Sequence, residues 1–139
     1  MRSPLQLSLV VLLGVVASDA WSCSCPVRES WWDSKEPIVF RSRVLATELT
    51  QEKLQEQSVV TARFEVIERF RGDPSIIKVL RTTNGATYGT CGIALTAGDE
   101  FIIHTSAGGW VMQCSGTQSY HAKRDESLVE KLREARDKK

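Results

Sequence analysis

Apolar and polar side chains alternate from Val60 onward: Val60, Ala62, Phe64 and Val66 fall on one side, with Thr61, Arg63 and Glu65 on the other. A period of two marks a half-buried strand, and the run stops where Arg71-Gly72-Asp73-Pro74 supplies turn residues. The β-branched and apolar stretch Ile38 to Ala46 predicts another strand, as does Ile76 to Thr82. Between the first two, the polar run Thr50 to Ser58 reads as an exposed loop or hairpin tip. Phe101 to Thr105 and Trp110 to Gln113 are expected to form a hairpin across Ala107-Gly108-Gly109. Short strands at this spacing predict a mainly β chain, a small barrel or sandwich.

The ends of this β region differ in kind. Pro26 to Lys35 predicts a short N-terminal helix opened by Pro26, since proline suits a first helical turn, with Trp31 and Trp32 expected to pack beneath it. From Asp125 to Lys138, Leu128, Val129, Leu132 and Ala135 recur at helical spacing among charges. That segment predicts a C-terminal amphipathic helix laid on the β region, with Ser127-Leu128-Val129-Glu130 in the form of a capping box. The chain has 139 residues, 42% of them hydrophobic, which suits a single domain from Cys23 to Lys139, the helix included.

The first 22 residues read as a secretory signal peptide: Arg2, an apolar core from Leu5 to Val16, then small and polar residues. The apolar core is shorter than the roughly 20 residues a bilayer span requires, so the expectation is an exported, extracellular protein with no membrane anchor. Two cleavage points satisfy the small-residue rule. A cut after Ala20 leaves Trp21 first, whereas a cut after Ser22 leaves Cys23 first with its α-amine free, and the second is preferred. A formal net charge of +1 without a large basic block argues against nucleic acid as a partner, because neutralising phosphates takes clustered Lys and Arg.

Four cysteines, Cys23, Cys25, Cys91 and Cys114, in an exported chain favour two disulfides. Residues i and i+2 of an extended segment point the same way, so Cys23 and Cys25 are badly placed to bridge each other. Two pairings remain open. A zinc site built from all four thiolates is disfavoured by the one-residue gap between Cys23 and Cys25 and by the lack of a second close pair. Nucleophilic catalysis needs a free thiol near a histidine, and of the two histidines His104 falls mid-strand and His121 in a polar stretch. The chain is therefore not read as an enzyme.

Cys23-Ser24-Cys25-Pro26 behind a signal peptide, Glu65 to Gly72 ending a strand, Thr90-Cys91-Gly92, and Trp110-Val111-Met112-Gln113-Cys114 together resemble the N-terminal, netrin-like domain of the tissue inhibitors of metalloproteinases. The resemblance covers Cys23 to about Cys114. It implies a five-stranded Greek-key barrel of the OB type, with bridges Cys23–Cys91 and Cys25–Cys114. It also implies a secreted inhibitor of zinc metalloproteinases in which the main-chain nitrogen and oxygen of Cys23 chelate the zinc of the target protease. Ser24 would enter the specificity pocket, Cys25 and Pro26 would run along the cleft, and Thr90 and Cys91 would support the same edge. The partner would be a matrix-metalloproteinase-like enzyme, and the inhibitor a monomer without a cofactor. Trp31 and Trp32 stand in the region where that family begins a third bridge, and the charged helix follows where it continues into a six-cysteine domain. The alternative reading is an extracellular netrin-like binding module without inhibitory activity.

Overall fold

Ile38, Val39 and Phe40 are consecutive and all buried, which happens in a strand only where both faces of its sheet are covered. In the computed structural model, which describes Cys25 and residues 34–54, 56–84 and 91–138, they open the long central strand β1 (Ile38–Leu54). Antiparallel partners flank it: β2 (Gln57–Arg71) along its length and β4 (Glu100–Thr105) against Ile38 to Arg43. With β3 (Leu80–Thr83) beside β2 and β5 (Gln118–Ser119) beside β4, the five strands form one sheet in the order β3-β2-β1-β4-β5. The C-terminal helix α1 spans Ala122–Asp137.

Each face of the sheet carries its own apolar cluster. Ile38, Phe40, Val44, Ala62, Leu80, Phe101, Ile103 and Val111 pack together on one side. On the other, Val39, Ile102 and Phe70 meet Tyr120, Val129 and Leu132, so α1 covers that face. The alternation read from the sequence holds along β2 through Val66 in register and fails beyond it, because β1 and β2 slip between Arg41 and Ser42 and again between Val39 and Phe40. Each slip of one residue turns the following side chains to the other face. Val66, opposite Ser42, is exposed, and past the slips Phe70 lies under the helix.

The sheet is open, since β3 and β5 occupy its edges without pairing. An isolated parallel bridge joins Arg81 of β3 to Trp110, through Arg81 N–H to the Gly109 carbonyl and Val111 N–H to the Arg81 carbonyl, both at 2.8 Å. Gly109 makes this possible: its φ is +73°, and a Cβ there would collide with the Val79 carbonyl. The expected hairpin is therefore corrected. The turn after β4 exists, closed by Gly109 N–H to the Ser106 carbonyl at 3.0 Å, but Trp110 crosses to β3 rather than returning along β4.

Other expectations shift. The Thr50 to Ser58 run is the exposed hairpin tip rather than a loop, because the β1–β2 ladder continues to Leu54 opposite Gln57, with Glu56 at φ +68° in the turn. Ile76 belongs to a single 3₁₀ turn (Pro74–Ile76) capped by Asp73, and β3 starts only at Leu80. Ser34 and Lys35, the end of the expected N-terminal helix, are not helical, and the rest of that prediction lies outside the described residues. The C-terminal helix begins at Ala122 rather than Asp125, which leaves Ser127 inside it instead of at its cap. Its start is fixed by the Asp125 carboxylate accepting from the His121 N–H at 2.7 Å, which satisfies one of the unpaired donors at a helix start. Among the described residues no helix is long and apolar enough to cross a membrane.

Ion pairs fasten α1 at its edges. The Arg133 guanidinium donates to both carboxylate oxygens of Glu68 at 2.8 Å, and one of its nitrogens also reaches Glu126 at 3.0 Å. The hydrogen bond from Arg133 holds the Glu68 carboxyl below its usual range, and the bond from Arg124 does the same for Asp125. A carboxyl with a depressed folded-state pKa stabilises the fold above the unfolded value of about 4 and loses that contribution as pH falls through the folded value. Two outcomes follow. Leu132→Ala, in the cluster under α1, should destabilise by about 2–4 kcal/mol in urea denaturation, whereas exposed Leu49→Ala should change it by under about 0.5 kcal/mol. The urea midpoint of the native chain should also fall between about pH 5 and pH 3 more steeply than that of Glu68→Gln, and equal slopes would show that the Glu68 pair contributes nothing.

Candidate functional site

The cysteine-bearing rim is assembled from two short pieces of chain that lie side by side. Gly92 forms an antiparallel bridge with Met112, and the Gln113 N–H donates to the Cys91 carbonyl at 2.6 Å. On its other side the 91–93 segment rests on β3, where the Ile93 N–H donates to the Thr82 hydroxyl at 2.9 Å. Only glycine fits at 92, because a Cβ would run into the Thr83 carbonyl and hydroxyl. Cys91 is thus held one residue's width from the 3₁₀ turn Gln113–Ser115, which carries Cys114.

That turn is anchored in the sheet by hydroxyls. Ser115 donates from its hydroxyl to the Met112 carbonyl at 2.7 Å and lies 3.2 Å from the Thr117 hydroxyl. Thr117 in turn donates to the His104 carbonyl at 3.1 Å and accepts from the His104 N–H at 2.9 Å. Gly116, at φ +98°, ends the turn. The Ser34 hydroxyl donates to the Ser115 carbonyl at 3.1 Å, and the Ser34 carbonyl accepts from Arg71 at 2.8 Å. The chain entering β1 is therefore tied to the same rim. His104 is a buried sheet residue on β4, as its place in the sequence suggested.

Cys25 is bonded to Cys114, with the two Cα atoms 5.1 Å apart. This is the pairing implied by the family resemblance, and it closes a separation of 89 residues. Cys91 is also disulfide-bonded, and no described cysteine is a free thiol. Sulfur ligation of zinc and thiol nucleophilicity both require a thiolate, so neither is available at Cys25, Cys91 or Cys114. Cys25 itself is exposed at the end of its tether, while Cys114 is half-buried.

Of the predicted site residues, the structure brings Cys25 and Cys91 to one rim, through the disulfide of the first and the hydrogen bond of the second to Gln113. Cys23, Ser24, Pro26 and Thr90 lie outside the described residues, as does the expected Cys23–Cys91 pairing. Ser34, Ser115 and Thr117 were not singled out from the sequence. Isolated serines and threonines carry no periodic signal, and their role here comes from contacts spanning up to 81 residues. No family model and no curated protein matches this chain.

Replacing Cys25 and Cys114 together by serine should lower stability by up to about 4–5 kcal/mol, the chain-entropy value for a loop of this length. Chemical denaturation of oxidised native chain against the double variant measures it, and a loss well under about 1 kcal/mol would mean that the bridge constrains little.

Proposed function

We propose that this chain is a secreted, netrin-like inhibitor of zinc metalloproteinases that acts through its N-terminal cysteine. The observation that carries the reading is the exposed Cys25 held by its disulfide to Cys114, on a rim where Cys91 is hydrogen-bonded to Gln113. Chain geometry limits Cys23 to within about 7 Å of Cys25, so a mature chain starting at Cys23 would present its amine beside that rim. The amine nitrogen and carbonyl oxygen of Cys23 would then occupy the position that a catalytic zinc keeps open for water. Ser24 would enter the specificity pocket, with Cys25, Pro26, Thr90 and Cys91 along the cleft. The disulfides would act by preorganisation, reducing the entropy that a loose terminus loses on binding.

An OB-type barrel belongs to the same proposal. Its support is the strand order, with β1 shared between β2 and β4, together with the parallel bridge between Arg81 and Trp110 that links the far edge of the sheet to the segment after β4. Export rests on the N-terminal signal pattern, and a disulfide-bonded chain is consistent with an oxidising compartment. One observation favours the second reading, a binding module that chelates nothing. The β1–β2 hairpin exposes Leu45 and Leu49 on β1 and Val66 and Ile67 on β2, and exposed apolar side chains grouped on one element often mark a contact surface.

Zinc ligation requires the amine in its neutral form, and an α-amine titrates at about 7.7–8.0. Inhibition of a matrix metalloproteinase should therefore weaken by up to about tenfold for each pH unit below 7, once the enzyme's own pH dependence is subtracted. Acetylating the α-amine should abolish it. An acetylated chain that inhibits as well as the free one would exclude zinc chelation by Cys23.

A further inference from the structure

Away from the cysteine rim, a half-open groove of about 340 Å³ runs between the end of β2 and the last turns of α1. Its floor is apolar, formed by Val39, Phe70, Leu132 and Ala135. Three guanidinium groups, Arg69, Arg71 and Arg136, line the same groove against a single carboxylate, Asp73. The Asp73 carboxylate is occupied locally, accepting from the Ser75 N–H at 3.0 Å.

The cations are unequally committed. Arg136 donates to Asp137 at 2.8 Å and lies 3.5 Å from Glu68. Among the described residues Arg69 forms no salt bridge, and Arg71, whose Nη2 donates to the Ser34 carbonyl, keeps a buried Nε–H without a hydrogen-bond partner. An apolar floor beside guanidinium groups that no carboxylate pairs matches a carboxylate carried on an apolar tail. We propose that this groove binds a free medium-chain fatty acid, with its carboxylate at Arg69 and Arg71 and its alkyl chain on Phe70, Val39 and Leu132.

Polarity fixes the orientation. The carbonyls that end α1 repel an anion, so the head group lies toward β2 and the tail toward the helix. The volume stands near the lower end of the range for small-molecule sites, about 300–1,000 Å³, which selects a short chain. No part of this inference depends on metalloproteinase inhibition or on the cleavage position.

Titration calorimetry of the oxidised full chain with sodium decanoate tests it. The expected result is saturable binding at one site with a dissociation constant below about 1 mM. Decanol, which has the same tail without the charge, should bind at least about tenfold more weakly, and octanoate, two methylenes shorter, about fifteenfold more weakly, since each buried methylene contributes roughly fourfold. Arg69→Gln should weaken decanoate binding about tenfold, the loss of one charge-assisted contact, whereas Arg63→Gln elsewhere on β2 should leave it unchanged. Ala135→Trp, on an exposed helix position, should fill the groove and abolish binding with helical circular dichroism intact. Three results overturn the proposal: no saturable binding, as a groove filled by another part of the chain would give; equal affinity for decanol; or undiminished binding by Arg69→Gln.

Discussion

Everything in this fold depends on β1 being hydrogen-bonded on both sides. A strand paired with β2 along one edge and β4 along the other cannot slide without breaking two ladders, so its register fixes which side chains face which layer. The register shifts against β2 then divide that long hairpin into a buried base and a projecting tip. Ile38, Val39 and Phe40 serve two clusters from consecutive positions, Val39 under the helix and its neighbours on the opposite face. A helix with few buried residues of its own gains a seat this way, and Val129 and Leu132 are enough to hold it when Arg133 pairs with Glu68 of β2 and Arg124 donates to the Ser119 carbonyl of β5.

The same frame gives the rim its rigidity. Two short segments that belong to no long strand, around Cys91 and Cys114, are fixed because one rests on β3 and the other is tied by Thr117 and Ser115 to β4. The Cys25–Cys114 disulfide fastens Cys25 to that rim. The proposed inhibitory mechanism asks for this, since a terminus used as a metal ligand must be ordered before it meets the metal. The fatty-acid groove draws on a different part of the frame, the seam where α1 leaves the sheet, and the two proposals stand independently.

How much of this was legible in the sequence follows from the range of each interaction. The alternation around Val60 to Phe64 is local and located β2, and the apolar periodicity of Leu128, Val129 and Leu132 located α1 to within three residues at its start. Register slips are decided by the pairing of two strands and leave no trace in either one alone, so the alternation that groups Val66 with Phe64 gave no sign that Phe70, past two slips, lies under the helix. The destination of Trp110 was equally hidden. The Gly108-Gly109 turn is visible in the chain, but the close approach of Gly109 to Val79 that sends the chain to β3 is a tertiary contact. The cysteine pattern carried more: order and spacing alone excluded one pairing, and the family resemblance selected the one now seen between Cys25 and Cys114. The groove could not be read at all, because Arg69 and Arg136 stand 67 residues apart and meet only through the seating of the helix.

The central claim is that a fastened, unblocked Cys23 amine is the reactive group, and its most direct test is inhibition of a matrix metalloproteinase by exported material whose mature N-terminus has been fixed by intact mass and N-terminal sequencing. The account predicts a chain that begins at Cys23 with all four cysteines oxidised and that inhibits the enzyme. A chain beginning at Trp21, or one beginning at Cys23 that leaves several metalloproteinases fully active, would contradict it.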